Sequence, residues 1–258
     1  MSIVLFTDFG SADLYVGQVK SALRTGAPKA EILDLMHDVP AFDVRAGAHL
    51  LDALKSPFPA GSVFFAVVDP GVGSARDALI LEADHRHYVG PDNGLLSVVA
   101  ARAARRRWWR ITWRPPALSE SFHGRDLFAP IAAQLAAGAL SSDTRQLITA
   151  PSTDFGAGDL AEIIYVDHYG NAHTGLRAGA VQRNAVLTVN GHRFGFARVF
   201  SEAPPGGGIW YENSQELIEV AVNCGSAAHA FGIRVGDAVG WSDASRLGAT
   251  RGAGGERP

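Results

Sequence analysis

Three short polar segments carry most of the reactive side chains in the first half of the chain: TDFGSADLY at 7–15, VVDPGVGSAR at 67–76 and SFHGRD at 121–126. Asp69 follows directly on the unbroken apolar run at 62–68. A carboxylate at the edge of a dry strand needs a partner or a purpose, because an isolated charge is costly away from water. Arg76 is near enough along the chain to be that partner; the competing reading makes Asp69 a turn cap and Arg76 a solvated charge. His123 is equally open. A lone histidine is usually structural, and only if His123 meets Asp69 and Arg76 do a base, a cation and a proton relay surround one water molecule.

Those segments need elements to place them. The first half alternates short apolar runs with helical patterns, the habit of an α/β domain with a buried sheet. A strand over 3–6 delivers Asp8. Asp13 then caps a helix with Val16, Val19 and Leu23 inward, ended by Gly26 and Pro28. A strand over 31–35 and a helix from Asp43, stopped before Pro57, come next. The run 62–68 reads as a central strand covered on both faces, ending at Asp69 and the turn PGVGSAR. Helices are expected over 95–105 and 127–137, the second with Pro130 in its first turn and His123 in the preceding loop. Residues 141–158 are polar and rich in Pro and Gly, the composition of a linker. Beyond it, 163–166, 185–189, 193–199 and 217–222 are strand-like, with Asn190-Gly191 a hairpin turn. The expected fold is therefore an N-terminal α/β domain (1–150) with a mostly parallel sheet flanked by helices and a smaller β-barrel-like domain (159–245). The Gly-rich tail at 246–258 is expected to be disordered.

The three segments, in this order and followed by DHYGN and NS, resemble the SAM hydroxide adenosyltransferase family, the adenosine-forming S-adenosyl-L-methionine hydrolases related to fluorinase and chlorinase. The resemblance covers residues 2–242 and is carried by TDFG with the DxYVG after it, HDVPAFDV, VDPGVG with Arg76 beyond, PDNGLL and FHGRDxFAP. It implies that Asp69, Arg76 and His123 handle the water that attacks the ribose 5′-carbon of the substrate. It further implies that Asp8 accepts hydrogen bonds from both ribose hydroxyls, which suits an acceptor-only group, and that Phe42 packs on the nucleoside. Asp13 would meet the methionine end, although helix capping is an equally good use for it. By the same resemblance Asp167 pairs with the substrate ammonium, Tyr169 stacks on adenine, Asn171 reads an adenine edge and Ser214 binds the amino-acid end; a plain β-turn is the alternative for Tyr169-Gly170-Asn171. Relatives carry a glycine soon after that serine, where this chain has Gln215 and Glu216. The resemblance also implies a homotrimer with sites at subunit interfaces, no metal and no cofactor. Halide attack on the same substrate, as in the chlorinase, is the near alternative, but halogenating relatives replace the aspartate and histidine kept here. A non-enzymatic adenosine or SAM sensor is the distant one.

Composition narrows the field. A net charge of -3 over 258 residues argues against a protein built to neutralise nucleic-acid phosphates. The basic aromatic stretch RAARRRWWRITWR is better explained by a helix end and a strand with arginine stems on tryptophan faces than by single-stranded nucleic acid. Cys224 stands alone, so no internal disulfide forms and a reducing compartment, the cytoplasm, is expected. No apolar stretch approaches the roughly 20 residues a membrane span requires. TDFG lacks the other kinase motifs, PGVGSAR lacks the third glycine of a dinucleotide fingerprint, and His85 and His87 lack zinc-like spacing. The expected partner is a small molecule.

Overall fold

The computed structural model describes residues 1–243, and the tail read as disordered lies outside the described residues. The chain divides into two compact units, Met1–Gly158 and Asp159–Pro258.

The first unit contains β1 (Ser2–Thr7), α1 (Leu14–Gly26), β2 (Glu31–Met36), α2 (Val44–Leu54), β3 (Val63–Val67), β4 (Ala78–Ala83), β5 (Arg86–Pro91), α3 (Ser97–Arg102), β6 (Arg106–Ile111), α4 (Ala129–Ala137) and β7 (Arg145–Ile148). Its seven-stranded sheet runs β2-β1-β3-β5-β4-β6-β7. The β2-β1-β3-β5 part is parallel, and the three further strands join antiparallel. All five residues of β3 are buried, as its unbroken apolar sequence requires of a central strand. Alternation sends Val63, Phe65 and Val67 to the face covered by Val19 and Leu23 of α1 and Ile131 and Ala132 of α4. Phe64 points the other way and stacks on Tyr88 with ring centroids 4.7 Å apart.

Parallel strands end at one edge of a sheet, and that edge is where an open α/β sheet collects its functional loops. Here β1, β2, β3 and β5 deliver Asp8, His37, Asp69 and Asp92 to it in turn. Strand β4, antiparallel to β5, starts from the same edge, so the residue before it but one, Arg76, lies there too. The linker-like stretch 141–158 contains β7, paired to β6 as an exposed sheet edge. Cross-strand hydrogen bonding, invisible in composition, organises it. His85 sits in the β4–β5 turn with φ 66 rather than on a strand.

The second unit contains β8 (Leu160–Val166), β9 (Ala172–Arg177), β10 (Ala185–Val189), β11 (His192–Phe196), β12 (Gly208–Glu212), β13 (Leu217–Val222), α5 (Ala227–Phe231) and β14 (Val239–Asp243). The order is β14-β10-β11-β12-β13-β9-β8. Its two edges approach each other: the Ile163 amide donates to Asp237 O at 2.9 Å and the Gly236 amide to Ile163 O at 2.8 Å, so the sheet is nearly a closed barrel. Asn190-Gly191 makes the β10–β11 hairpin with both residues at positive φ, 50 and 77. Trp210, 1% exposed, fills the core with Phe194, Ile218 and Val220, and its indole N–H is satisfied by Ala185 O at 3.0 Å. Among the described residues no helix is long and apolar enough to cross a membrane.

Candidate active site

Asp69, Arg76 and His123 meet. Arg76 Nε donates to Asp69 Oδ1 at 2.8 Å and Arg76 Nη2 donates to Asp69 Oδ2, a two-pronged pair of buried side chains, 10% and 5% exposed for Arg76 and Asp69. Arg76 Nη2 also approaches His123 Nδ1 at 3.3 Å, its Nη1 donates to Asp77 O at 3.2 Å, and its guanidinium lies over the Phe128 ring. Arginine has no acceptor, so the nitrogen it faces must accept, and the ring hydrogen of His123 belongs on Nε2. Burial first, and then the charge of Arg76, hold His123 below the ordinary imidazole value of 6.5.

Local geometry explains the convergence. Asn93, in the turn PDNG, donates from Nδ2 to Val68 O at 2.9 Å and so ties down the backbone just before Asp69. Gly73 has φ +81, and a Cβ there would stand 2.5 Å from Glu120 O. Only glycine lets the loop after β3 lie directly against the loop before His123. His123 directly precedes a single π-helical turn, Gly124–Phe128, that runs into α4. The helix expected from 127 thus begins a turn earlier, in wide form. Such π-turns shift a helix face by one residue and recur at functional sites.

Asp8 stands at the end of β1 and accepts the Phe42 amide at 3.1 Å on Oδ2. Burial raises its carboxyl above the usual 3.8, the Phe42 amide and its own backbone N–H oppose this, and the negative charge of Asp69 adds to it. Asp8 and Asp69 leave the neighbouring parallel strands β1 and β3 at the same sheet edge, so the first and second segments lie side by side. Phe42 is 74% exposed and holds φ 65, an uncommon conformation for a bulky residue. Sequence reading missed the ties beneath this loop: Thr7 Oγ1 to His37 Nδ1 at 2.8 Å, His37 Nε2 to Asp34 at 3.0 Å, and the Ser11 amide to Asp38 at 3.1 Å. The signal was His37-Asp38 itself, two polar residues at a strand end opposite TDFG. Asp13 is exposed and caps α1, accepting the Leu14 amide at 2.6 Å.

In the second unit Asp167 organises the β8–β9 turn. Its Oδ1 accepts the amides of Tyr169 at 2.9 Å and Asn171 at 2.8 Å, and Asn171 Nδ2 donates to its Oδ2 at 3.2 Å. Tyr169 projects from the turn, 74% exposed. Ser214 is exposed in the β12–β13 turn, where its hydroxyl accepts Gln215 Nε2 at 2.8 Å. Glu216 occupies the left-handed region at φ 61, the reason a glycine suits this turn better.

Comparisons with known proteins identify the family. Residues 3–144 match the SAM hydroxide adenosyltransferase N-terminal domain and residues 161–240 its C-terminal domain. The (R)-S-adenosyl-L-methionine hydrolase of Salinispora arenicola is 40% identical over 250 residues, 90% of this chain and 94% of that protein. The fluorinase of Nocardia brasiliensis is 23% identical, over 92% of this chain and 95% of its own. A crystal structure of an uncharacterized conserved protein from Thermotoga maritima superposes with a TM-score of 0.85 at 30% identity, covering 94% of this chain and 100% of that one. With both domain families matched in order, and with a full-length relative at this level of identity, the chain belongs to the SAM hydroxide adenosyltransferase family.

Proposed function

We propose that the protein hydrolyses S-adenosyl-L-methionine to adenosine and L-methionine by attack of water on the ribose 5′-carbon. The observation that carries this reading is the buried Asp69–Arg76 pair with His123 Nδ1 turned to the same guanidinium. The sulfonium leaves as a neutral thioether and needs no acid. The nucleophile is the difficulty: water, with a pKa near 15.7, is not ionised beforehand by an ordinary aspartate. Deprotonation accompanies attack instead, because oxygen becomes strongly acidic as it bonds to carbon. Arg76 uses two of the roughly four acceptor directions of the Asp69 carboxylate and leaves others for the water. Asp69 takes the proton, the two-pronged bond from Arg76 holds the Asp69 carboxylate in place, and His123 Nε2–H fixes the water oxygen. Holding that oxygen in line with carbon and sulfur contributes up to about 7–11 kcal/mol in favourable systems.

Asp8 takes the ribose hydroxyls and Phe42 covers the nucleoside, Tyr169 and Asn171 receive adenine, and Asp167, Asp13 and Ser214 receive the methionine end. The relatives named (R)-S-adenosyl-L-methionine hydrolase point to the R sulfonium epimer as substrate. No metal or cofactor enters, since neither the leaving group nor the attacking water requires one. The protein works in the cytoplasm as a homotrimer with sites at subunit interfaces. Retention of Asp69 and His123 favours water over halide. Incubation with each epimer, with and without chloride, tests the reading: adenosine and methionine from the R epimer support it, while a 5′-halogenated nucleoside or binding without turnover would replace it.

A further inference from the structure

His37 is a buried histidine, 7% exposed, that the proposed chemistry does not use. It stands just past β2, and both of its ring nitrogens are taken. Nε2 meets Asp34 Oδ1 at 3.0 Å, and Nδ1 meets Thr7 Oγ1 at 2.8 Å. Side chains three apart on a regular strand point to opposite faces, so an unbroken β2 would keep Asp34 from His37. The register slips instead: Leu5 pairs with Asp34, and Phe6, the next residue, pairs with Met36. An extra residue of this kind re-aims side chains and is common beside active sites.

Hydrogen-bond capacity fixes the directions. Lys20 Nζ, on α1, donates to Asp34 Oδ2 at 2.5 Å. Burial pushes the Asp34 carboxyl up, but the hydrogen bonds from Lys20 and His37 together outweigh it and hold the group below 3.8. An ionised Asp34 only accepts, so a ring hydrogen belongs on Nε2, and the neutral ring takes the Thr7 hydroxyl hydrogen on Nδ1. The Thr7 oxygen in turn accepts the Phe9 amide at 3.3 Å. Threonine, histidine and aspartate in line also make the pattern of an activated nucleophile, but Thr7, 1% exposed, is out of a substrate's reach. What these bonds enclose is Asp8. The Thr7–Phe9 bond closes a turn around it, the Gly10 amide donates to His37 O at 2.8 Å, and the Val39 amide donates to Thr7 O at 3.2 Å. The Phe42 amide pins Asp8 Oδ2, yet where that carboxylate stands is set by the backbone on either side of it, and both sides are tied to His37.

We propose that His37 is a positioning residue: through the Thr7 hydroxyl it holds the 7–10 turn in the shape that presents Asp8 to the two ribose hydroxyls. The proposal rests on the reading of Asp8 as the partner of the ribose. One carboxylate serving two hydroxyls must stand in one place, so a turn that shifts weakens both bonds at once.

The test compares kcat/KM for S-adenosyl-L-methionine and for its 2′,3′-dideoxyribose analogue in the wild type, Thr7→Val, His37→Ala, His37→Gln and His37→Asn, with thermal melting as a check of folding. The wild type is expected to prefer the compound with hydroxyls. Thr7→Val keeps the shape of the side chain and removes its hydroxyl; kcat/KM for S-adenosyl-L-methionine should fall on the order of tenfold, the scale of one hydrogen bond to a charged group, while the dideoxy compound loses little, so the preference collapses. His37→Ala does the same. The two amides separate the halves of the network: glutamine can still reach Asp34 but offers Thr7 no acceptor and fails like alanine, whereas asparagine places Oδ1 where Nδ1 stood and recovers most of the preference. A histidine that served only folding would lower the melting temperature and leave the preference alone. A preference unchanged in Thr7→Val, which decides the matter if His37→Ala does not fold, or an equal loss for both compounds, would overturn the positioning role alone. A wild type with no preference would overturn the reading of Asp8 and the positioning role with it.

Discussion

Asp69 and Arg76 act as a pair, and their variants must be read differently. Removing Arg76 strands a buried carboxylate, so Arg76→Ala is expected to cost about 3–5 kcal/mol of stability and to confound any loss of rate. Asp69→Asn keeps shape and removes the proton acceptor; turnover should fall roughly 100- to 10,000-fold with substrate still bound, and steady-state kinetics beside a calorimetric titration will check both. The pH profile has a defined sign. Protonating His123 turns Nδ1 into a donor facing Arg76, and protonating Asp8 removes an acceptor for the ribose. Both events occur as pH falls, so kcat/KM should be level near neutrality and drop in acid, with the His123 limb below 6.5 because burial and Arg76 depress it. A rate that rises on acidification would contradict the assignment. At this scale the sequence was only half legible. Residue types and strand ends marked Asp69, Asp8 and His123, yet no spacing brings position 123 to position 76; the contact depends on a tertiary approach.

Single glycines and turns decide how the elements present these residues. Gly73 allows two loops to touch at a separation no side chain tolerates, so Gly73→Ala should push the 118–123 loop away, break the Arg76–His123 contact and cost about 1–3 kcal/mol. Thermal melting and turnover should fall together. Glu216 shows the opposite case: Glu216→Gly relieves a left-handed residue in an exposed turn and should add about 1 kcal/mol, a rise in melting temperature of roughly 2–4 °C. The strongly patterned elements β1, α1, β3 and the β10–β11 hairpin follow from apolar runs, a capping aspartate and Asn-Gly. Strand β7 escaped because an exposed edge strand of four residues has almost no pattern of its own. The π-turn after His123 escaped because propensity does not distinguish it from the α-helix that follows.

Across the whole molecule, a modest negative charge and a single cysteine fit a protein whose partner is small. If three chains are needed to complete the sites, light scattering will give a trimer mass, and dilution to monomers will abolish turnover. On the proposed mechanism, in which a neutral thioether leaves and Asp69 takes the proton, exhaustive chelation should leave the rate unchanged. The most direct test of water attack at the 5′-carbon is turnover in 18O-labelled water with mass spectrometry of the nucleoside. Adenosine carrying one 18O at its 5′-hydroxyl is the expected result; unlabelled adenosine, or a different nucleoside product, would contradict it.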